Sequence, residues 1–385
     1  MGFLDKIFGL NTDALIGEGR RHAEQGEHDE ALRCFDEAIG LDPQALSAWY
    51  WKGRVMQQNG RSQEALQCFY AVIRGESRNT AAWNGMGLAH RAEGNTRDAL
   101  KCFEKATRID PDDANAWHNM GFVLMDMGKN DEAVRCFQKK LPINPENAES
   151  WCQKGNALRD LGRYEDAIAC YSIYLDLYPK DGAAWVQLGG ALRMMHRYGE
   201  AVACFDRAIK VDRSDAGAWN NKGVTLKRMG DVRQALRCFE RALRADPDNA
   251  VVWSNKALVL HDLERDEEAA GCYQHALELD PENSDILYRL ATAYDNLGRW
   301  SDALRYYTRF LNARPENGYA WFRAGVAFQQ EGDHATAVRC FNKVIGLDGS
   351  DADAWHHMGL SLQALDNGKK AEACFRKARE LMLQY

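Results

Sequence analysis

The chain has 385 residues, of which 45% are hydrophobic and 27% charged, the balance of a folded globular chain and not of a disordered one. One hydrophobic core stops growing at roughly 250 to 300 residues, so this length asks for several domains or a stack of small units. A net charge of -7 with a pI near 5.9 excludes a general nucleic-acid binder; the lack of a long apolar run, or of a basic segment before one, excludes a membrane span and a secretory signal and leaves a cytoplasmic location as the expectation.

In chain order the first element is a leader, residues 1–11, in which Phe3, Leu4, Ile7 and Phe8 fall at helical spacing. It is expected to form an amphipathic turn or two that caps the exposed apolar face of the first folded unit. Attachment to a membrane surface is the alternative, disfavoured because Lys6 is its only cation; Lys6 also breaks the myristoylation pattern. The remaining residues divide without remainder into eleven blocks of 34: 12–45, 46–79, 80–113, 114–147, 148–181, 182–215, 216–249, 250–283, 284–317, 318–351 and 352–385. With Thr12 as position 1 the register never slips. Position 20 is alanine in every block, from Ala31 to Ala371, and position 24 is always aromatic, as at Phe35, Tyr171 and Phe239. Position 4 is tryptophan nine times, with Leu15 and Leu287 as exceptions, and position 8 is glycine except at Ala257 and Ala291. Proline closes seven blocks at position 32, among them Pro43, Pro111 and Pro247.

Each block reads as two helices, A and B. Asn or Asp at position 34 (Asn79, Asp113, Asn147, Asp181), with Asn11 before the first block, supplies an N-cap for the next A helix. Glycine at position 15 (Gly26, Gly60, Gly128) stops helix A, an acidic residue at position 19 (Glu30, Glu200, Asp302) suits the start of helix B, and the Asp-Pro pairs end it. Strands have nowhere to form. Tryptophan, glycine four later, alanine twelve after that, an aromatic four on and proline eight beyond resemble the tetratricopeptide repeat, over residues 12–385. The flavour around Trp219-Asn220-Asn221-Lys222-Gly223 is similar to archaeal and bacterial arrays. The resemblance implies an all-α solenoid of antiparallel helix pairs in a right-handed superhelix. Small residues at positions 3 and 8 against bulky ones at 24 and 28 make each block a wedge, so the A helices should line the inner face, with positions 2, 5, 6, 9, 12 and 13 toward a groove.

Ten of eleven cysteines fall at position 23, from Cys34 to Cys374. Equivalent atoms of successive packed helices lie about 8 to 10 Å apart, beyond the reach of a disulfide, and no C-x-x-C pair exists, so the ladder reads as small buried hydrophobes and no metal is expected. Cys152, at groove position 5, reads as a tolerated thiol. The histidines form no H-E-x-x-H, glycine-rich nucleotide loops are missing, and no cofactor and no catalytic constellation is expected.

Function should then reside where the blocks differ. Position 6 carries Asn119, Gln153, Gln187, Asn221 and Asn255, with Asn84, Asn156 and Asn220 nearby; amides can pair with an extended peptide backbone or, equally, bridge neighbouring A helices. Position 12 is basic at Arg91, Arg159, Arg193 and Lys227, joined by Arg228 at position 13, a stripe suited to an acidic or C-terminal carboxylate partner. The alternative is that these cations offset helix dipoles, and Asp126, Asp160 and Asp262 dilute the stripe. Tyr288, Arg289, Phe322, Arg323, His356 and His357 make a second candidate at positions 5 and 6 of the last three blocks, and Tyr50 with Trp51 a smaller one. The pattern by which tetratricopeptide domains clamp chaperone tails is not reproduced: Asn156 is at position 9, but Cys152 holds position 5 and the unit after next has Gly217 and Asn221. The asparagine ladder is similar to that of glycosyltransferases acting on serine and threonine, whose catalytic half would have to follow residue 385.

Three irregularities carry expectations. Lys140 and Pro142 should end or bend helix B of the fourth block. Leu287, Ala291 and Tyr306 make the ninth the most divergent, with a change of local curvature expected there. Leu381, Met382 and Leu383 leave an apolar end that predicts end-to-end self-association. The resulting expectation is a non-enzymatic scaffold that binds an extended, acidic or C-terminal segment of other proteins. The alternatives are a recruiting or regulatory subunit of an enzyme complex and a structural spacer acting through its ends.

Overall fold

The structure, a computed structural model, describes residues 12–143 and 148–383, with the side chains of 141–143 outside that description. The leader and the expected caps Asn11 and Asn147 lie outside the described residues. The chain divides into two compact units, Met1–His196 and Arg197–Tyr385. Among the described residues there are twenty-two helices and no strand.

In the first unit the helices are α1 (Thr12–Gln25), α2 (His28–Leu41), α3 (Leu46–Gln58), α4 (Ser62–Gly75), α5 (Thr80–Ala92), α6 (Thr96–Ile109), α7 (Ala114–Asp126), α8 (Asn130–Ile143), α9 (Ala148–Asp160), α10 (Tyr164–Leu177) and α11 (Gly182–Met194). The second holds α12 (Tyr198–Val211), α13 (Ala216–Arg228), α14 (Val232–Ala245), α15 (Ala250–Asp262), α16 (Asp266–Leu279), α17 (Ser284–Asn296), α18 (Trp300–Ala313), α19 (Gly318–Gln330), α20 (His334–Leu347), α21 (Ala352–Ala364) and α22 (Gly368–Met382). Within each unit an A helix packs on the B helix of its own block and on the B helix before it. A helices also approach one another directly, as α3 does α5, α5 does α7 and α13 does α15. The architecture is an α-solenoid of antiparallel helix pairs.

Local chemistry accounts for each boundary. Eight side chains at position 34, Asn79, Asp113, Asp181, Asp215, Asn249, Asn283, Asn317 and Asp351, accept an amide of the next A helix, a cap contributing about 1 kcal/mol. Every position 15 is left-handed: eight are glycine, and His196, Glu264 and Asp366 adopt φ of 59°, 59° and 57° at a strain of roughly 1 kcal/mol each. B helices other than α8 and α22 end before an extended or near-extended residue at position 31 even where no proline comes next, as at Glu76 before Ser77. Proline therefore reinforces a stop already made by the next capping turn.

The tryptophans explain that turn. Eight of them donate the indole N–H to the carbonyl of position 32 before their helix, at 2.7 to 3.1 Å, and this bond accepts Pro43, Ser77, Arg213 or Gly349 alike. Ala at position 20 and the ring at position 24 form the core, from Ala31 and Phe35 to Ala337 and Phe341, all fully buried. Glycine at position 8 is dictated by that ring: a Cβ at Gly87 would lie 2.6 Å from Phe103, and one at Gly223 2.7 Å from Phe239.

The early end expected of helix B in the fourth block does not occur. Helix α8 runs through Pro142 to Ile143, reaching the same block position as its counterparts α6 (to Ile109) and α10 (to Leu177). Proline sits in the last turn, where its missing donor removes a single bond just before the helix would end in any case.

Candidate functional site

Positions 2, 5, 6, 9, 12 and 13 were expected to face a groove. The structure shows that positions 6 and 12 meet each other across successive A helices. In the first unit Gln57 donates to the Gly85 carbonyl at 3.4 Å, and Arg159 donates to the Gln187 side chain. In the second, Arg323 reaches back to Asp295 at 2.6 Å, and Gln329 donates to the His357 carbonyl at 2.9 Å. Asn255 at position 6 instead donates to Asn220 at position 5 of the helix before, at 2.9 Å. Side-chain amides therefore tie neighbouring A helices together wherever such a pair is formed.

The basic row is neutralised from within. Arg91 pairs with Asp126 at 2.8 Å and lies 5.0 Å from the Phe122 ring centroid; Arg159 pairs with Asp160 at 2.7 Å; Lys227 pairs with Asp262 at 3.1 Å. Half-exposed pairs of this kind contribute up to about 1 kcal/mol each. Arg193 is also engaged, whereas Arg228 is exposed. The aspartates noted in the sequence as diluting the stripe are its partners.

A hydroxyl at core position 24 needs a polar group above it, and groove residues supply one. Tyr171 donates to Asn156 at 2.8 Å, and Asn156 donates in turn to Gln153 at 3.1 Å. Arg289 interacts with Tyr273, whose phenol burial pushes up to about 12. Tyr307 donates at 3.2 Å to Asp295, whose carboxylate is fully buried, also holds Arg323, and is raised by burial above the usual range despite that partner. Asn156, Arg289 and Arg323, chosen as binding residues, thus also satisfy the core. Among the aromatics, Tyr288 packs on Phe310 at 5.1 Å, and Phe322 on His357 at 5.3 Å and Phe341 at 5.8 Å. Asn221 donates to the Gly217 carbonyl at 3.0 Å within its own helix.

The A face of the first unit holds a cleft of about 450 Å³ over α3, α5 and α7, with Tyr50, Arg54, Asn84, Asp113, Asn115 and Asn119 around it. Gly85, the one glycine among the position 6 residues of α3, α5, α7 and α9, lines it; a Cβ there would fall 2.5 Å from the Phe69 ring, so the close approach of that ring requires glycine. Asn84 donates to Asp113 at 2.7 Å, which fixes its amide orientation and leaves its carbonyl oxygen buried without a partner. Of these residues the sequence had singled out Tyr50, Asn84 and Asn119. Arg54 and Asn115 were detectable only as polar residues at groove positions 9 and 2 beside a missing side chain at position 6.

The thiols are quiet. Burial raises those of Cys68, Cys102, Cys204, Cys238 and Cys340 to about 11 and that of Cys136 to about 12. Half-buried Cys152 is likewise raised to about 11, the opposite of an activated nucleophile. No group of three or more potential metal ligands occurs among the described residues.

Helix hairpins in tandem, most of them capped by Asn or Asp at position 34 and turned by glycine at position 15, define a repeat protein of the α-solenoid class. The chain belongs to the tetratricopeptide-repeat family, whose members act as protein-interaction scaffolds. Tetratricopeptide-repeat models match residues 16–81 and 288–353, 87–128, and 114–147 with 352–381. A model described as the C-terminal domain of cilia and flagella-associated protein 70 matches residues 138–319. No curated protein matches. Among solved structures the chain is similar to YrrB, described as a TPR protein with an unusual peptide-binding site (23% identity, 51% of this chain and 97% of that one, TM-score 0.45). It is also similar to a tetratricopeptide repeat protein of Parabacteroides merdae (16%, 65% and 98%, 0.47) and to MamA of Desulfovibrio magneticus (21%, 44% and 96%, 0.42).

Proposed function

We propose that this protein is a non-enzymatic scaffold that holds an extended peptide segment of a partner along the A face of its first unit. The observation that carries this reading is the cleft beside Gly85, where the side-chain amides of Asn115 and Asn119 offer acceptors and donors to a peptide backbone. Arg54, whose guanidinium donates to the Tyr50 hydroxyl at 3.3 Å, adds a cation at the rim. An acidic or carboxylate-terminated segment is favoured there, because Arg91 and Arg159 can exchange their aspartate partners for a ligand carboxylate.

A photo-crosslinking residue at Asn119, compared with one at exposed Glu104 on α6, tests the reading in cell extract. Capture of a defined peptide segment from Asn119 alone is expected. Equal capture from both positions, or capture only from Glu104, would overturn it. Charge reversal at Arg91, Arg159 and Arg193 in the first unit, and separately at Lys227 in the second, tests the acidic preference. Binding that is unchanged and insensitive to salt removes the basic row from the site.

A further inference from the structure

Within the second unit a separate cleft of about 560 Å³ lies away from the A face, between the end of α12, the turn after it and α14. Ile209, Trp219 and Ala245 make its apolar wall, and exposed Arg213, Arg241 and Arg244 stand around it. At the starts of B helices exposed arginines take a carboxylate, as Arg61 takes Glu64, Arg163 takes Asp166, Arg265 takes Glu268 and Arg299 takes Asp302, at 2.5 to 2.7 Å, whereas others, such as Arg97 and Arg108, take none; what sets the arginines of this cleft apart is that three of them gather round one apolar wall. Arg213, Arg241 and Arg244 form no side-chain hydrogen bond or ion pair with any described residue.

Equivalent places in other blocks show why these three are left over. In the eighth block position 26 is His275, whose ring packs on Trp253 at 4.6 Å, and position 29 is Glu278. In the ninth, position 26 is Arg309, which donates at 2.7 Å to the Pro281 carbonyl; that carbonyl is available because Leu287 replaces the tryptophan. In the seventh, Trp219 takes the corresponding carbonyl of Arg213 at 3.0 Å, so Arg241 has no such acceptor. Arg213 itself stands where seven blocks carry proline. A chain of net charge -7 thus gathers three uncompensated guanidinium groups at one apolar cleft, an arrangement that a ligand of opposite charge relieves.

We propose that this cleft docks an acidic peptide segment of another protein, with an apolar side chain against Trp219 and Ile209 and carboxylates on Arg213, Arg241 and Arg244. The apolar wall of Ile209, Trp219 and Ala245, which an apolar side chain can cover, favours a peptide over a nucleic acid. The site is independent of the A face, and its test keeps the two apart. The probe is a short fluorescein-labelled peptide alternating Glu with Leu, titrated by anisotropy into the full chain, with a Lys-for-Glu peptide as control.

Binding of the acidic peptide alone is expected. The triple variant Arg213→Glu/Arg241→Glu/Arg244→Glu should weaken it by about tenfold or more, equivalent to about 1.4 kcal/mol, while Arg97→Glu/Arg108→Glu, exposed on α6 and lining neither cleft, leaves it within about twofold, and Arg91→Glu/Arg159→Glu reads out any share bound on the A face. Circular dichroism and melting check the fold, and the milder Arg→Gln set replaces the reversal if it unfolds the chain. Undiminished affinity in a folded triple variant overturns the proposal, as does equal affinity for the basic peptide. Displacement by inorganic phosphate or an oligonucleotide at matched charge overturns it too, by marking a bare anion site. Loss of binding only in the Arg91/Arg159 variant moves the peptide to the A face, which sinks this inference and leaves the proposed function standing.

Discussion

His118 stands at groove position 5, yet its ring meets Phe122 at 4.7 Å and Phe137 at 6.0 Å, and its buried Nδ1 has no partner. Burial first, then the cations of Lys140 and Arg91, hold its pKa down to about 4, although Glu149 comes within 3.8 Å. Lys140, buried where most blocks carry Ala or Val, is itself depressed by burial with Glu149 opposing. In the unfolded chain the imidazole titrates near 6.5, so between that value and about 4 the unfolded state binds the extra proton. Stability is therefore full above pH 6.5, falls as the pH is lowered, and is reduced by about 3 kcal/mol below pH 4. Aromatic side chains occupy the same position at Tyr50, Tyr288 and Phe322, so His118→Phe should fold and remove most of this loss. Urea midpoints from pH 7 to 4 check it. A variant whose midpoint falls as steeply as the parent's would place the acid sensitivity elsewhere.

At the scale of the helix pair, polar groups on the A face answer to the core beneath them. Asp295, with no side-chain exposure, is held by Arg323 from α19 and by Tyr307 from α18. Arg323→Met leaves that carboxylate buried without a cation and should cost about 3 kcal/mol or more, since breaking a buried pair costs more than replacing both members. Asp295→Asn/Arg323→Met keeps an acceptor for Tyr307 and should recover most of the loss in chemical denaturation. No recovery would mean that Arg323 acts through packing. The helix boundaries were legible because caps, position 15 and position 20 act within one block, over distances that sequence spacing encodes. The site was legible only in part. The rows at positions 6 and 12 were visible, but the reach of one to the other depends on the separation of neighbouring A helices, which no spacing within a block reports. One signal did exist: tyrosine replaces phenylalanine at position 24 in the fifth and ninth blocks, where Asn156 and Asp295 occur, and in the eighth, next to Arg289. Arg213, likewise, was visible as a break in the proline row.

At the scale of the whole molecule, stability within each compact unit is a sum over blocks and the interfaces between neighbours, because each helix there packs on those adjacent in sequence. A lesion in one block should therefore stay local. Phe341 is fully buried beneath Gly325, and a Cβ there would already meet its ring at 2.7 Å. Phe341→Ala should cost about 3 to 5 kcal/mol at its own block. Native-state hydrogen exchange should show α19 to α22 losing protection, while α1 to α6, which belong to the other compact unit, keep theirs. Loss of protection spread evenly over all described helices would mean that the chain unfolds as one cooperative body. In that case the separate character assigned to the A-face cleft of the first unit and the arginine cleft of the second would not extend to their energetics, and a ligand at either would stabilise both.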